Sequence, residues 1–365
     1  MATINVLYII TFFSVLFIAR FAFSRYYSVA KKYNLVKGYN NRSVHNGKVY
    51  TGAGLVLSFI LLLAAVGLNN IEFLFFETLA PIISASVLIA IIGFYDDFRE
   101  LSAFQKYAIL AFLVVTTVYA EESNGIDYGM ITNLNGFFGI NEIGYFPAFI
   151  FTCFVYLSIM NAINLIDGID GYIGIFAVIF FFWFFIIYHN DAFFTHSIVS
   201  VIFIASMIVF LKHNFSRKEK LFVGDAGSLF LGFWMANFLV LFITSADVAS
   251  VTNLFSIKLE NIPIIAIATL NIPVLDTLRV MLVRVLKKKS PFRGDMNHIH
   301  HILIDKGINH FRTSIILCLI NAFNLALIIL LESYFNSVEL TGFYIGISLI
   351  WFGVFEYIKR KKSSS

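Results

Sequence analysis

Long apolar runs separated by short polar segments dominate this chain. Only helices and closed barrels satisfy the polypeptide backbone in lipid, and runs this long and uniformly apolar predict helices. The candidate membrane spans lie near residues 3–23, 53–68, 73–94, 105–120, 145–164, 172–188, 195–211, 227–244, 261–284, 313–332 and 341–358. The pattern predicts an all-α, polytopic integral membrane protein with about eleven transmembrane helices, built as a single domain over residues 1–365.

The composition agrees with this class. The chain is 59% hydrophobic and only 13% charged, and its 43 Phe residues exceed what a water-soluble core needs. The first apolar run starts almost at Met1 without a basic segment before it, so we expect a retained helix rather than a cleaved signal peptide. Cys153 and Cys318 both lie inside apolar runs and are expected to be buried thiols, not a disulfide.

The basic residues predict the orientation. When the connections are assigned alternately to two sides, 25 of the 26 Lys and Arg residues fall on one side, and only Lys258 falls on the other. By the positive-inside rule that side is cytoplasmic, so the N-terminus is outside and the C-terminus inside. The run from Lys287 to Lys289 is interpreted as a lipid-headgroup anchor, and no nucleic-acid partner is expected.

The acidic residues follow a different pattern. Eight of the eleven Asp residues fall on the side that carries nearly all the positive charge. Acids contribute little to topology, so this clustering needs another cause. Carboxylates within a basic surround are typical of a metal held beside anionic ligands, and Mg²⁺ prefers a few carboxylates together with water and phosphate oxygens.

One string of polar residues between two apolar runs is costly in a membrane and therefore a functional candidate. The string NAINLIDGIDGYIG places side chains at three-residue spacing, and these are Asn161, Asn164, Asp167 and Asp170. Gly168 and Gly171 are expected to break the helix and to let backbone amides approach a ligand. Taken alone, the string is also compatible with a simple turn.

Acids also mark the end of the third run and the start of the eighth. Asp96 and Asp97 lie at a helix C-terminus, where the dipole disfavours acids unless a cation such as Lys106 or Mg²⁺ intervenes. Asp225 lies in a glycine-bounded turn before a helix start, a favourable place for an anion, and Ser228 is expected to cap that helix. The spacing there is not that of a P-loop.

Two further groups are candidate ligand contacts, each with an alternative interpretation. Phe222 could stack on a base, although packing is the stronger interpretation. His298, His300 and His301 could bind zinc, but no Cys is near, so hydrogen bonds to phosphate are favoured.

A basic loop and a charged pair complete the candidates. Lys48, preceded by Arg42 and His45, stands beside a glycine-rich helix start that could hold phosphate, although topology alone explains the charges. Asp276 and Arg279 are interpreted as an ion pair one helical turn apart.

Four motifs in this order carry a resemblance. They are DD…K at Asp96, Asp97 and Lys106, NxxNxxDGxDG at Asn161 to Gly171, GDxGS at Gly224 to Ser228, and HxHH at His298 to His301. Over residues 40–310 the chain resembles the polyprenyl-phosphate N-acetylhexosamine-1-phosphate transferases, of glycosyltransferase family 4 type. The string SPFRGDMNHIHH and the eleven runs resemble the branch of undecaprenyl-phosphate GlcNAc-1-phosphate transferases.

The resemblance implies a reaction and a location. A UDP-sugar, by default UDP-GlcNAc, gives its sugar-1-phosphate to undecaprenyl phosphate, and UMP is released. The site would face the cytoplasm from a bacterial inner membrane, at the first step of a cell-envelope glycan such as lipopolysaccharide or capsule. Other UDP-N-acetylhexosamines, UDP-MurNAc-pentapeptide as donor, and a homodimer remain open.

The resemblance also implies residue roles. Mg²⁺, with Mn²⁺ as the alternative ion, would be bound by Asp225 first and by Asp97 second. The catalytic set carried over is Asp96, Asp97, Asp225, His298, His300 and His301, with the histidines on diphosphate or sugar. The substrate-binding set is Lys48, Lys106, Asn164, Asp167, Asp170 and Phe222. Direct attack by the lipid phosphate is favoured over a covalent aspartyl intermediate, because phosphate is already largely ionised near neutrality.

Two other protein classes remain open on the residues alone. An intramembrane prenyltransferase also uses Asp-rich motifs with Mg²⁺ but needs neither a histidine cluster nor a nucleotide. A transporter would carry its polar residues near the bilayer midplane, whereas these residues gather at predicted helix ends.

Overall fold

A computed structural model describes residues 2–36, 49–69, 74–123, 129–189, 193–245, 257–288 and 297–361, most of which are helical. The described helices are α1 Ala2–Lys32, α2 Gly54–Asn69, α3 Leu74–Phe98, α4 Ala103–Ser123, α5 Tyr145–Ile166, α6 Tyr172–Tyr188, α7 Phe194–Asn214, α8 Gly224–Thr244, α9 Ile262–Thr269, α10 Asn271–Leu286, α11 Ile299–Ile304, α12 His310–Glu332 and α13 Ser337–Arg360. A short 3-10 turn, Leu259–Asn261, precedes α9.

The helices account for the apolar runs of the sequence. In the described part of the chain, eight helices are long and apolar enough to cross a membrane, namely α1, α3, α4, α5, α7, α8, α12 and α13. The bent pair α9 and α10 would make a ninth span, and α2 and α6 are shorter apolar helices. The prediction of a multi-pass helical membrane protein is confirmed, and the thiols of Cys153 and Cys318 are buried and free, as expected. The count of eleven spans and their orientation stay predictions.

A small hairpin departs from the purely helical prediction. Strands β1, Asn133–Phe137, and β2, Ile140–Glu142, pair antiparallel in the connection between α4 and α5. The chain reverses at Phe138 and Gly139, which both have positive φ, and Gly139 N donates to Gly136 O at 2.8 Å. Gly139 adopts positive φ readily and favours this turn, whereas Phe138 does not, and apolar periodicity does not reveal the hairpin.

Helix α8 forms the centre of the bundle. Nearly all its side chains are buried, and it packs against α2, α3 and α5. Small residues let the backbones approach closely, as is common between membrane helices. A Cβ on Gly93 of α3 would lie 2.5 Å from Asp225 O, and a Cβ on Gly232 of α8 would lie 2.8 Å from Met160 Cα. The start of α8 is therefore held within a tightly packed layer.

The segment predicted as one span over 261–284 is divided into two helices that meet at 71°. Pro273 explains the break, since proline cannot donate to the carbonyl four residues earlier and its ring clashes with that carbonyl. Asn321 of α12 satisfies the freed backbone groups. Its Nδ2 donates to Thr269 O at 2.9 Å, and its Oδ1 accepts from Ile272 N at 3.0 Å. This bend directs α10 toward the histidine motif.

Replacing Asn321 with Leu tests this arrangement. The substitution leaves two buried backbone groups without partners at the bend, and each such loss costs about 1–3 kcal/mol. We expect a clearly lower apparent melting temperature in detergent, measured by intrinsic fluorescence. Phe323→Leu, at an exposed position of the same helix, is the control. Equal melting temperatures for the two variants would contradict this role of Asn321.

Candidate active site

The first turn of α8 is capped by a carboxylate from another helix. Asp97, at the end of α3, is 3% exposed. Its Oδ1 accepts from Asp225 N at 3.0 Å, and its Oδ2 accepts from Ala226 N at 3.4 Å. Amides in a helix's first turn have no partner within the helix and favour negative charge, so this contact stabilises the helix start. The anion expected at this terminus is thus supplied by the protein itself.

Gly224 makes this close contact feasible. It begins α8 with a φ of +68°, which favours glycine, and a Cβ there would collide with Asp97 Oδ2 and Thr51 Oγ1. Ser228 does not cap α8 as the sequence analysis expects, because the helix already begins at Gly224. Its hydroxyl instead donates to Gly224 O, one turn earlier, at 3.0 Å.

Lys106 joins the two remaining acids of this cluster. Its Nζ lies 2.8 Å from Asp96 Oδ2 and also contacts Asp225 Oδ2. All three side chains are largely but not fully buried. The DD…K and GDxGS motifs, far apart in sequence, therefore meet at a point where two carboxylates converge on one cation.

The charge of this cluster suits a divalent cation. Asp96, Asp97 and Asp225 carry three negative charges against one positive charge on Lys106, which leaves an excess of two negative charges. The donors are carboxylate oxygens, which are hard ligands that fit Mg²⁺ or Mn²⁺. Within the described ranges, no three His, Cys, Asp or Glu side chains form a group that could hold a metal. Asp97 as a metal ligand stays a prediction, and its described contacts are those of a helix cap.

The glycine-rich start of α2 does not offer its amides to phosphate. Ala53 N donates to Phe222 O at 3.2 Å, and Gly54 N donates to Val223 O at 3.1 Å. Phe222 N donates in turn to Tyr50 O at 2.8 Å. The hypothesis of a phosphate cradle here is wrong for these amides, since they are occupied in joining the starts of α2 and α8. Arg42, His45 and Lys48 lie outside the described residues.

The first half of the NxxNxxDGxDG string contacts residues next to the acidic cluster. Asn164 Nδ2 donates to Ser228 Oγ at 2.8 Å, which ties α5 to the first turn of α8. Asn161 Oδ1 accepts from the hydroxyl of Tyr107, the neighbour of Lys106. Asp167 ends α5 and is half-buried. The string is therefore a helix end followed by a turn, as expected from its glycines.

The second half of the string forms a polar cluster of its own. Asp170 Oδ2 accepts from Lys220 Nζ at 2.6 Å, and His310 Nδ1 lies 3.6 Å from the same oxygen. Lys220 Nζ lies 5.6 Å from the centre of the half-buried Phe222 ring. Because Phe222 is two residues before Gly224, this cluster directly adjoins the acids.

Asn214 is a contributor that the sequence analysis missed. Its Oδ1 accepts from Gly171 N at 2.6 Å, and its Nδ2 donates to Leu221 O at 2.9 Å. The side chain thereby joins the DGIDG turn to the segment that carries Lys220 and Phe222. Its only signal in the sequence is a polar residue at the end of an apolar run.

The histidine motif packs against the same turn. His300 is 2% exposed, and a Cβ on Gly168 would collide with its Nε2. Burial, and next the charge of His301, lower the pKa of His300 well below its usual value, so the ring is neutral at pH 7. Neither of its ring nitrogens has a hydrogen-bond partner in the described part of the protein. The ring thus holds two buried nitrogens that are unsatisfied among the described residues, a cost that a hydrogen bond to a bound ligand would reduce.

Comparison with known proteins identifies the family. Residues 79–244 match the family model described as Glycosyl transferase family 4. A probable undecaprenyl-phosphate N-acetylglucosaminyl 1-phosphate transferase of Bacillus subtilis (strain 168) is 31% identical over 308 residues, 83% of this chain and 79% of that protein. The chain belongs to glycosyl transferase family 4. It is therefore an enzyme, and the prenyltransferase and transporter hypotheses are set aside.

Two further relatives show how far the likeness extends. An undecaprenyl-phosphate alpha-N-acetylglucosaminyl 1-phosphate transferase of Escherichia coli (strain K12) is 28% identical, over 85% of this chain and 80% of that protein. A decaprenyl-phosphate N-acetylglucosaminephosphotransferase of Mycolicibacterium smegmatis is 26% identical, over 72% of this chain and 66% of that protein. The resemblance stated from the four motifs is confirmed.

Within this glycosyl transferase family 4 chain, the structure brings most predicted site residues into three adjoining groups. The acidic group contains Asp96, Asp97, Lys106 and Asp225, with Asn164 beside it. The second group contains Asp170, Lys220 and Phe222. The third contains His298, His300 and His301, whose rings lie next to one another. Their roles in catalysis stay predictions.

The adjacent acids Asp96 and Asp97 are expected to respond differently to substitution. In Asp97→Asn only one acceptor oxygen remains for two amides, so we expect destabilisation by about 1–3 kcal/mol. In Asp96→Asn the oxygen that accepts from Leu101 N at 2.7 Å is kept, and the loss of stability should be smaller. Apparent melting temperatures of the two purified variants measure this difference. A larger loss for Asp96→Asn would contradict the capping role of Asp97.

Proposed function

We propose that this enzyme transfers a sugar-1-phosphate, GlcNAc-1-phosphate by default, from a UDP-sugar to undecaprenyl phosphate. A P–O bond forms between an oxygen of the lipid phosphate and the sugar-bearing phosphorus. The bond from that phosphorus to the bridging oxygen breaks, and UMP leaves. The site would face the cytoplasm from a bacterial inner membrane and start the synthesis of a cell-envelope glycan.

The observation that carries this proposal is the meeting of Asp96, Lys106 and Asp225 at the first turn of α8. Transfer between two anionic substrates requires a site that balances their charge, and phosphoryl transfer depends mainly on positioning and electrostatic stabilisation. Lys106 can donate to a phosphate oxygen while it stays between the carboxylates. An excess of negative charge beside it favours recruitment of a divalent ion.

Asp225 and Asp96 would hold Mg²⁺ in this proposal. When bound, the ion would neutralise phosphate charge that the protein side chains alone leave unbalanced. We place Asp96 here ahead of Asp97, the second ligand that the resemblance implies, because both Asp97 oxygens accept hydrogen bonds from amides of α8. We retain direct attack by the lipid phosphate, since Asp96 is engaged by Lys106 and Asp97 by backbone amides.

The nucleotide would lie on the side of Asp170, Lys220 and Phe222. Lys220 bridges a carboxylate and the face of an aromatic ring, so it can orient both toward a bound ligand. Asn164 and Asp167 would lie between the nucleotide and the acidic cluster. His300, neutral and unpartnered among the described residues, would hydrogen-bond the diphosphate or the sugar on the remaining side.

Release of UMP tests the proposed function. Purified protein in detergent is supplied with Mg²⁺, undecaprenyl phosphate and a panel of UDP-sugars, and UMP is measured by chromatography. We expect turnover with at least one UDP-N-acetylhexosamine, its loss in excess EDTA, and a fall of at least about a hundredfold in Asp225→Asn. Asp305→Asn, an exposed acid at the end of α11, is the control and should keep wild-type turnover.

Three results would count against the proposal. The absence of UMP with every donor would remove the proposed reaction. Full turnover in excess EDTA would rule out dependence on a divalent ion. Full activity in Asp225→Asn would rule out Asp225 as the ligand of that ion.

Lys106→Gln separates the two roles of the acidic cluster. Removing the ammonium increases the negative charge beside Asp225, so the divalent ion should bind more tightly. Turnover should fall at the same time, because a phosphate contact is lost. We expect the half-saturating Mg²⁺ concentration to decrease by roughly tenfold, or about 1.4 kcal/mol. An unchanged or higher Mg²⁺ requirement would place the ion away from Lys106.

A further inference from the structure

Charged side chains outside the four motifs of the proposed site contact the start of the histidine motif or the residues that hold it. Asp276 and Arg279 lie one turn apart on α10 and are 3% and 1% exposed. Glu356 lies on α13, and its Oε1 accepts from Arg279 Nη1 at 2.7 Å. Asp276 and Arg279 form the ion pair expected from their spacing, and Asp276 also contacts the histidine motif itself.

Asp276 contacts both a histidine ring and the backbone of the next residue. Its Oδ2 lies 2.9 Å from His298 Nδ1, and its Oδ1 accepts from Ile299 N at 2.9 Å. An ionised carboxylate paired with Arg279 has no proton to donate, so the proton of this bond belongs to Nδ1 of His298. Nε2 is then the nitrogen left for other chemistry. A carboxylate that fixes a histidine tautomer in this way is a recurring device in enzymes.

Arg279 and α13 hold the residue that precedes this histidine. Arg279 Nη2 donates to Asp276 Oδ1 at 3.2 Å and to the carbonyl oxygen of Asn297. Lys359 Nζ donates to Asn297 Oδ1 at 2.7 Å. The start of the histidine motif is therefore fixed from α10 and from α13 together, even though α13 carries none of the predicted site residues.

The position of His298 affects the position of His300, and through it the contact with the DGIDG turn. Its ring is stacked on that of His300, with centroids 5.7 Å apart and planes 7° apart. His300 in turn abuts Gly168 in the DGIDG turn. A shift of Asp276 would therefore move both rings relative to this turn.

We infer that Asp276, Arg279 and Glu356 are positioning residues that fix the tautomer of His298 and seat His300 against the DGIDG turn. This inference rests on the proposed function for its kinetic consequence. A purely stabilising network is the alternative. Buried ion pairs are weak stabilisers compared with apolar packing, and here Arg279 binds both the carboxylate that contacts His298 and the carbonyl oxygen of Asn297, just before the motif.

Glu356→Gln is the decisive variant because the Glu356 side chain is partly exposed and reaches the histidine motif through Arg279. We expect kcat for UMP formation to fall roughly tenfold, with KM for both substrates within about twofold and an apparent melting temperature close to wild type. Arg360→Gln, exposed and one turn away on α13, is the matched control and should leave kcat unchanged. Asp276→Asn should lower kcat further than Glu356→Gln does, since asparagine offers one acceptor oxygen to three donors.

Nitrogen NMR of histidine-labelled protein gives a readout that does not require turnover. The resonances of His298 are assigned by their loss in His298→Gln. In the wild type Nδ1 should carry the proton, and in Asp276→Asn the tautomer should shift toward Nε2. A wild type that makes no UMP would remove the proposed function, while this spectrum would still decide the inference.

The inference is overturned by any of three results. The first is an unchanged His298 tautomer in Asp276→Asn. The second is a Glu356→Gln variant whose kcat matches that of Arg360→Gln. The third is a Glu356→Gln variant whose lower kcat is accompanied by a clearly lower melting temperature.

Discussion

The structure depends on how the first amides of α8 are satisfied inside a buried bundle. Helix starts leave amides without partners, and the cost of burying them is high where water is excluded. Asp97 resolves this by accepting from Asp225 N and Ala226 N. Since Asp97 accepts from the first amides of the helix, its neighbour Asp96 is the acid that reaches Lys106, and the largely buried Asp225 in the same turn reaches it too.

This constraint explains why motifs far apart in the chain lie together in the structure. The cap brings the end of α3 to the start of α8. The absence of a side chain at Gly93 lets the backbone of α3 lie close to Asp225. Phe222, just before that start, joins the beginning of α2 through backbone hydrogen bonds. The helix start therefore carries both the acids and the segment with Lys220 and Phe222, which supports a site for two linked groups such as a nucleotide and a diphosphate.

The sequence predicts the parts of this structure that depend on composition and local pattern. Apolar runs mark the helices, and Gly168 and Gly171 mark the turn after α5. What it does not predict are contacts between distant polar side chains. Nothing local shows that Asp97 caps α8, that Asn321 stabilises the bend at Pro273, or that Asp276 bonds to His298. Each depends on helix packing, so adjacent acids that look alike in sequence have different contacts.

The same limit applies to the roles of the glycine-rich segments. A helix start rich in glycine is a fair candidate for binding phosphate, and the start of α2 has that pattern. Its amides are nevertheless occupied by Phe222 and Val223 carbonyls. The glycine-rich pattern predicts that something lies close to the backbone at this helix start. Only the packing of the helices shows whether it is a ligand or another segment of the chain.

The central proposal is that Asp225, with Asp96 and Lys106, would form the point at which a divalent ion meets the substrate diphosphate. The most direct measurement is electron-nuclear double resonance on purified protein loaded with Mn²⁺ and UDP-GlcNAc. The account predicts hyperfine coupling between the ion and phosphorus in the wild type, and its loss in Asp225→Asn. Bound Mn²⁺ without phosphorus coupling, or coupling that persists unchanged in Asp225→Asn, would contradict it.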